Sequence, residues 1–395
     1  MVILCIPMKP LTRTVWILSL VSLFNDMASE MLYPVLPVYL KSIGFSIVLL
    51  GVLEGIAEAI AGLSKGYFGS LSDQSAKRIP FVQFGYALSA LAKPMLSIAN
   101  AWAILAARTL DKFGKGIRTG ARDAMLSAEA TPETKGAVFG FHRAMDTTGA
   151  VIGPLLALAW LYYFPGDYLT LFLLTIIPGV LTLLATLFLR ERKREPNKTI
   201  RPSFFTSISF WKTGSLAYRK VAGGLLFFAL FNSSDVFLLL MAKSSGLSDT
   251  WVIGMYIFYN LVYAIAAFPF GILADKIGFR KMLILGLSFF CITYSCIGSC
   301  EDVLSFGIIF FIYGLFAAAT DGISKAWISN LAGKNETATA LGAFSGLQSI
   351  AMMIASSLFG VLWIWMEPEY AFFVPGIAAA LSAIYYIFMR EKNPD

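Results

Sequence analysis

Two carboxylates, Asp26 and Glu30, lie in a long apolar stretch near the start of the chain, and Tyr33 follows them. Their spacing places all three side chains on one face of a helix. A charged side chain in the middle of a bilayer costs about 2.5–3.5 kcal/mol on insertion scales, so it needs a partner, a water-filled cavity or a function. Two neighbouring carboxylates can take up and release a proton, because each charge opposes the other. The pair therefore predicts a proton-coupling site.

A second apolar stretch carries charges of both signs on one helix face. These are Arg108, Asp111, Lys115, Arg118 and Arg122, which step by three or four residues. Such a stripe cannot face lipid. We assign Arg108 and Asp111 to proton coupling and Lys115 to a solute cavity, with a purely structural network as the alternative. The last two arginines lie nearer the helix end and are expected to be structural partners of Asp73.

Other polar side chains in apolar stretches complete the candidate site. Glu58 lies four residues after Glu54 and joins the proton-coupling set, unless this pair lies at a wetted helix end. Asp321 and Lys325 predict an internal ion pair by the same spacing. The predicted solute-cavity residues are Lys115, His142, Arg143, Asp146, Asn232, Asp235, Tyr256, Tyr259, Asn260, Tyr263, Asp321, Lys325 and Gln348. The alternative for the tyrosines and amides is helix packing, and for the single histidine a satisfied buried polar group.

The composition says what surrounds these residues. Hydrophobic residues make up 57% of the 395 positions and charged residues 14%, against about 45–50% and about 25% in soluble domains. Since one bilayer crossing takes about 20 residues, there is room for about a dozen crossings. Apolar runs and their Pro, Gly and charged boundaries predict an all-α membrane protein of twelve transmembrane helices. Spans 1 to 12 are predicted at 14–40, 47–70, 80–99, 101–123, 136–163, 168–189, 219–241, 250–274, 282–300, 303–330, 339–366 and 370–389.

Lysine and arginine alternate between the connections that join the spans. With a cytoplasmic N-terminus, the even-numbered connections are basic, whereas the odd-numbered ones hold only Lys41 and Lys243. The basic connections contain Lys77, Arg78, Lys135, Arg190, Arg192, Lys193, Arg194, Lys198, Arg201, Lys212, Arg219, Lys220, Lys276, Arg280, Lys281 and Lys334. This is the positive-inside rule. It predicts an inner (cytoplasmic) membrane protein with both termini in the cytoplasm, and it explains the net charge of +7 without a nucleic-acid partner.

An internal repeat divides the spans into two sets of six. The loop containing Asp73, after span 2, matches the loop containing Asp275, after span 8. We call the difference between these two residue numbers the repeat offset, because it is the same for the other matched positions of the two halves. The repeat predicts an N-terminal half at 1–189 and a C-terminal half at 219–395, related by a pseudo-two-fold axis. The cytoplasmic loop between them, 190–218, contains an aromatic stretch expected to form an interfacial helix.

The loop sequence GILADKIGFRK, from Gly271 to Lys281, resembles the signature loop of the major facilitator superfamily. The first copy departs from the pattern at Gln74 and Ala76. The resemblance covers the whole chain, with two six-helix halves and a basic central loop. It implies alternating access around a cavity lined by spans 1, 4, 7 and 10.

Span 5 contains Gly149, Gly153 and Pro154 in an arrangement similar to the antiporter motif of the same superfamily. This resemblance implies the drug/solute:proton antiporter branch. It also implies that Asp73 and Asp275 act as cytoplasmic latches, accepting hydrogen bonds from helix N-termini and basic partners. The expected gating-latch residues are Gly69, Asp73, Arg118, Arg122, Gly271, Asp275, Gly278 and Arg280.

The leading hypothesis is a secondary transporter that exports a small amphiphilic or organic-ion solute in exchange for protons. An anion or organic-acid transporter, in or out, is the alternative, because Arg108, Lys115 and Arg143 offer a cationic pocket. Divalent-metal efflux is a third, although one histidine and unclustered cysteines count against soft metals. The chain lacks a phosphate-binding loop, a zinc-protease motif and a nucleophile elbow, so it is not expected to be an enzyme or to hold a cofactor or metal. The expected partners are a solute, protons and the bilayer, with the chain as a monomer.

Overall fold

The computed structural model describes residues 11–33, 35, 36, 39, 40, 47–98, 100–197, 199, 201–333 and 335–389, and side chains for all of these except 47–56 and 101. Lys41, Lys198 and Lys334 of the charge pattern, and the side chain of Glu54, lie outside the described residues. Every regular element within these ranges is a helix. The all-α prediction is therefore confirmed.

The helices follow the predicted spans in order. Spans 1 to 6 contain Arg13–Glu30, Ile47–Ser75, Ile79–Ala92 with the turn Pro94–Ser97, Ala101–Ala128, Lys135–Tyr163, and the pair Tyr168–Leu174 and Ile176–Thr186. Spans 7 to 12 contain the pair Leu216–Ala229 and Val236–Ser244, then Asp249–Ile277, Phe279–Cys296 with the turn Ile297–Ser299, Val303–Leu331, Thr337–Trp365, and the pair Pro368–Ala371 and Phe373–Phe388. The loop between the halves contains the short helix Thr206–Thr213.

Polar caps set several helix starts. The side chain of Asn100 accepts hydrogen bonds from the first backbone N–H groups of span 4, and Ser248 does the same for span 8. Asp302 and Ser305 form a reciprocal capping box at the start of span 10. Such caps satisfy N–H groups that have no partner inside the helix.

The repeat offset extends beyond the signature loops to the helix starts. Spans 2, 4 and 5 begin at Ile47, Ala101 and Lys135, and spans 8, 10 and 11 begin at the offset positions Asp249, Val303 and Thr337. The two halves therefore repeat one backbone design, and positions related by the offset can be compared directly.

Seven described helices are long and apolar enough to cross a membrane by length and composition alone, those of spans 5, 6, 8, 9, 10, 11 and 12. Span 4 does not qualify because its charges interrupt the apolar sequence. Span 7 does not qualify because it is broken into two short helices between Ala229 and Val236. The break leaves Asp235 at the start of the second helix. Spans 4 and 7 both bring polar groups to the cavity in the middle of the bundle.

The two halves pack closely at the end of the bundle that carries the signature loops, which we call the basic end. Span 2 packs on span 11, and span 5 packs on span 8. A Cβ added at Gly69 would overlap the backbone of Ala338, and one added at Gly271 would overlap the backbone of Gly136. Small residues at these crossings allow the helix backbones to meet. The latch glycines therefore permit close contact between the halves.

Candidate functional site

A cavity of about 1000 Å³ lies between the two halves and is lined by side chains from both. Spans 2, 5, 8 and 11 contribute to it in addition to the expected spans 1, 4, 7 and 10. The structure places all five predicted proton-coupling residues on its lining, together with every predicted solute-cavity residue except His142 and Asn232. His142 is buried, and neither its Nε2 nor the side-chain oxygen of Asn232 has a hydrogen-bond partner among the described residues.

Spans 2 and 4 form a side of the cavity that is rich in cations, which we call the basic wall. Its members are Lys65, Arg108, Lys112, Lys115, Arg118 and Arg122. Of the described residues in the same two spans, the acids that line the cavity are Glu58 and Asp111. Cations therefore outnumber acids on this side.

The two acids of this side have basic partners already. Glu58 accepts a hydrogen bond of 2.7 Å from Lys112, and its other oxygen lies 4.0 Å from Lys65. Asp111 lies 3.4 Å from the amine of Lys93, a span 3 residue that is only 3% exposed. Sequence reasoning missed Lys112 because it lies off the stripe, and Lys93 because its partner is on another span. A lone cation inside the predicted span 80–99 was the available signal.

Arg118 and Arg122 do not bind Asp73, which corrects the prediction made for them. The Arg118 guanidinium lies over the ring of Tyr86, 4.4 Å from its centre. Arg122 forms an ion pair of 2.8 Å with Asp123 on its own helix. Both arginines lie along the cavity face of span 4 rather than at its end, and their partners lie nearer than the loop.

One cation and one acid of the cavity, Lys115 and Asp26, have side chains without close polar partners among the described residues. Lys115 is exposed to the cavity, and within the described part of the chain neither its side chain nor that of Asp26 has a hydrogen-bond or ion-pair partner. The two interact at longer range through the cavity. Each is therefore available to a solute or a proton.

Three tyrosines on one face of span 8 bind three acids from three other spans. Tyr256 donates a hydrogen bond of 2.6 Å to Glu30 of span 1, in the other half. Tyr259 donates to Asp235 of span 7, and Tyr263 donates a bond of 2.7 Å to Asp321 of span 10. These pairs form what we call the acid–tyrosine wall. Tyr33 extends it by stacking on Tyr256, with ring centres 5.4 Å apart.

Two ion-pair clusters cross between the halves. Arg143 lies 2.7 Å from Asp146 on its own helix and 3.2 Å from Asp321 in the other half. Lys325 lies 2.7 Å from Asp123 of span 4. The predicted pair between Asp321 and Lys325 is therefore wrong, because the facing half offers each residue an oppositely charged group at shorter range.

Asp73 links the first signature loop to the second half. Its carboxylate accepts hydrogen bonds from the backbone N–H (2.8 Å) and the hydroxyl (2.9 Å) of Thr339, in the first turn of span 11. Its basic partner is Arg78, at 3.1 Å, which sequence reasoning missed. Burial lowers the pKa of the Arg78 guanidinium to about 10, which leaves it charged at neutral pH. Arg280, which the repeat offset pairs with Arg78, instead donates to carbonyl oxygens at the end of span 12.

Asp275 makes the matching contact in the opposite direction. It accepts hydrogen bonds from the backbone N–H groups of Gly136 (2.7 Å) and Ala137 (2.8 Å) at the start of span 5. Unpaired N–H groups make a helix N-terminus a favourable place for a carboxylate. Gly278 then turns the chain with φ of 94°, and Ala76 stands at the matching position with φ of 55°. A left-handed backbone strains alanine more than glycine.

Gly149 and Gly153 pack span 5 against span 1. A Cβ added at Gly149 would lie 2.8 Å from the backbone nitrogen of Met27, and one at Gly153 would lie 2.6 Å from the Met27 carbonyl oxygen. Pro154 follows within the same helix. These glycines therefore hold the helix of Arg143 and Asp146 close to the one that carries the Asp26–Glu30 pair.

The comparisons with known proteins agree with this architecture. The family model described as the Major Facilitator Superfamily matches residues 18–259 and 221–395. An uncharacterized MFS-type transporter of Methanocaldococcus jannaschii is 32% identical over 388 residues, 96% of each chain. The chain belongs to the major facilitator superfamily. It is thus a multi-pass membrane transporter with the superfamily fold of twelve spans, and not an enzyme.

Two more distant proteins are also similar to this superfamily member. A multi-drug resistance efflux pump PmrA homolog of Lactococcus lactis is 21% identical, covering 88% of this chain and 87% of that protein. The crystal structure of the human organic anion transporter MFSD10 superposes with a TM-score of 0.80 at 16% identity, covering 95% of this chain and 99% of that one. At 16% identity, the structural match is evidence for the fold alone.

Proposed function

We propose that this transporter exports a small amphiphilic or organic-ion solute in exchange for protons, by alternating access of the central cavity. The observation that carries the proposal is the Asp26–Glu30 pair on the cavity lining. Asp26 is available to a proton or a cation, and Glu30 is hydrogen-bonded to Tyr256 of the other half. A proton on this pair would therefore change a contact between the halves, which is what coupling requires.

The latches supply the second element of alternating access. Asp73 and Asp275 each bind the N-terminus of a helix in the opposite half. Opening the basic end must break both contacts, whereas the cavity can open at the other end without touching them. Rocking of two rigid halves requires contacts that close one end of the cavity to compete with contacts that close the other end. The two latches are the contacts that close the basic end.

The direction of export is supported by the glycine motif of span 5 and by the name of the efflux-pump relative. We further propose an inner-membrane location with both termini in the cytoplasm, because the basic connections then lie on the cytoplasmic side. A monomer is sufficient, since one chain supplies both halves of the cavity.

Transport of an organic anion is the second candidate, and the basic wall favours it. Six cations face the cavity from spans 2 and 4, and the human neighbour of similar fold is named as an organic anion transporter. Divalent-metal efflux has no comparable support, because the described residues contain no group of three or more His, Cys, Asp or Glu side chains that could hold an ion.

Proteoliposomes with an imposed pH gradient test the proposal. Tetraphenylphosphonium serves as an amphiphilic cation and benzoate as an organic anion, and only movement in excess of that in protein-free liposomes is counted, because both molecules also cross a bare bilayer. We expect proton-driven movement of the cation by the wild-type protein, and its loss in Asp26→Asn and Glu30→Gln. Glu195→Gln, in the exposed central loop, is the matched control. Unchanged proton-driven transport in both cavity variants would contradict the coupling assignment, and proton-driven movement of benzoate alone would favour the second candidate.

A further inference from the structure

Positive and negative side chains line different parts of the cavity, whereas a site for a singly charged solute needs side chains of only one sign. The basic wall occupies spans 2 and 4. The acids Asp26, Glu30 and Asp235 come from spans 1 and 7, and no lysine or arginine among the described residues bonds to them. Glu30 and Asp235 are held by tyrosine hydroxyls, which supply hydrogen bonds but no positive charge. Spans 2 and 4 therefore form a positive side of the cavity and spans 1 and 7 a negative side, while the ion-pair clusters of Arg143 and Lys325 contribute both signs from spans 5 and 10.

Each side also has one group that is free to bind a new partner. Lys115 is that group on the basic wall, and Asp26 is that group on the acidic side. The same lining is partly apolar, through Leu239, Val252 and Ile253. The volume of about 1000 Å³ accommodates an organic molecule of considerable size.

We infer that the solute is dipolar, with an anionic group bound at Lys115 and an ammonium group bound beside Asp26. This inference rests on the proposed function and names the chemical class of its solute. The stacked rings of Tyr33 and Tyr256 lie on the acidic side, where aromatic faces also attract an organic cation. Groups of opposite charge on the two sides match both ends of such a molecule, and electrostatic complementarity of this kind sets specificity.

The arrangement also fits exchange with protons. An ammonium group beside Asp26 competes with a proton for the same carboxylate, so binding of the solute releases the proton. The anionic group binds at Lys115 rather than at a carboxylate, so it takes no part in this competition. A dipolar solute therefore gains affinity from Lys115 and can still exchange with a proton at Asp26.

Three molecules with the same ring and chain separate the contributions. Phenylalanine carries both charges, 3-phenylpropionate carries only the carboxylate, and phenethylamine carries only the ammonium. Binding to the purified full-length chain is measured as the ligand concentration that raises its unfolding temperature halfway to saturation. We expect phenylalanine to act at concentrations at least about tenfold lower than either singly charged analogue.

Substitutions at the two free groups assign each charge. Lys115→Met should remove the advantage of phenylalanine over phenethylamine, because it weakens phenylalanine binding and does not weaken phenethylamine binding. Asp26→Asn should remove its advantage over 3-phenylpropionate. Lys115→Arg keeps the charge and should keep the preference, and the unfolding temperatures without ligand show whether each variant is folded.

Each of the other outcomes overturns the inference. These are equal binding of phenylalanine and one analogue in the wild type, no stabilisation by any of the three, and a phenylalanine preference that survives Lys115→Met. Proton release on binding, followed with a pH indicator, tests the proposed function separately. If phenethylamine releases protons but phenylalanine is not preferred, proton exchange is supported and the dipolar solute is rejected. If phenylalanine is preferred but no protons are released, the dipolar solute is supported and proton exchange is rejected.

Discussion

The two halves of this transporter share a backbone design but divide the chemistry of the cavity between them. In span 4, Arg108 and Lys115 face the cavity, whereas the positions that the repeat offset matches to them in span 10 are Phe310 and Ala317. Span 8 instead presents its three tyrosines. The first half therefore supplies most of the charge, and the second supplies hydrogen-bond donors and aromatic surface.

The latches show the opposite behaviour, because there the two halves remain alike. The repeat offset relates Asp73 to Asp275, and it also relates the backbone groups that they bind, at Ala137 and Thr339. The comparison teaches that contacts made to backbone atoms at the basic end persist in both copies. Side chains that face the cavity differ between the two copies, even where they form contacts between the halves, as Arg143 and Asp321 do.

The largest predicted effect compares the two latches. Asp73→Asn leaves Arg78 buried and without its anion, since both side chains of the pair are 2% exposed. Losing one partner of a buried ion pair costs about 3–5 kcal/mol. Asp275→Asn loses only charge-assisted bonds to backbone N–H groups, at about 1.5–3 kcal/mol. Thermal unfolding of the purified variants measures the difference. An Asp275 variant less stable than the Asp73 variant would show that the unpaired Arg78 does not make the Asp73 substitution the more destabilising one.

The next effect concerns close packing at the basic end. Gly271→Val should disfavour the closed basic end by about 1–3 kcal/mol, because its side chain overlaps the backbone of Gly136. Gly307→Val is the matched control, since an added Cβ there meets nothing within 4 Å. The distance between spin labels at Lys77 and Asn335, one in each half, reports closure. Equal distance distributions in the two variants would mean that the glycine does not set the approach of the halves.

A smaller effect separates contacts between halves from contacts within one half. Tyr256→Phe removes a hydrogen bond to Glu30 of the other half, whereas Tyr259→Phe removes one to Asp235 of the same half. A hydrogen bond contributes about 0.5–1.5 kcal/mol. Only the first substitution should shift the balance between conformations, which spin-label distances across the halves would measure. A shift of the same size in Tyr259→Phe would remove the distinction.

The smallest effect is expected at an exposed pair far from both regions. Lys243 and Asp249 lie 2.8 Å apart, with side chains 50% and 84% exposed. Asp249→Asn should change the free energy of unfolding by about 0–1 kcal/mol, because water screens the pair. A loss as large as that of Asp73→Asn would show that exposure does not rank the ion pairs of this protein.

Much of the fold followed from the sequence, because helix periodicity, charge alternation and the repeat are properties of single segments. The order of the spans and the residues of the cavity lining could be predicted in this way. Spacing along one helix cannot show which side chain of another helix will lie opposite. For that reason the Tyr256–Glu30 bond and the Arg143–Asp321 pair were missed.

The remaining errors have the same origin. Arg118 and Arg122 were assigned to Asp73 from their position near a predicted helix end, but Tyr86 and Asp123 are nearer. Arg78 stands in a loop that reads as a solvated basic connection, although the fold buries it. Burial of a loop cation is decided by the packing of several helices, and no local pattern records it.

The central claim is that the carboxylates of the first half couple protons to the motion of the halves. It can be tested without knowing the solute, by measuring the distance between spin labels at Lys77 and Asn335 as a function of pH. The wild-type protein should change its distance distribution with pH, Asp26→Asn combined with Glu30→Gln should abolish the response, and Asp235→Asn in the second half should retain it. A pH response that persists in the first-half double variant but disappears in Asp235→Asn would contradict the claim.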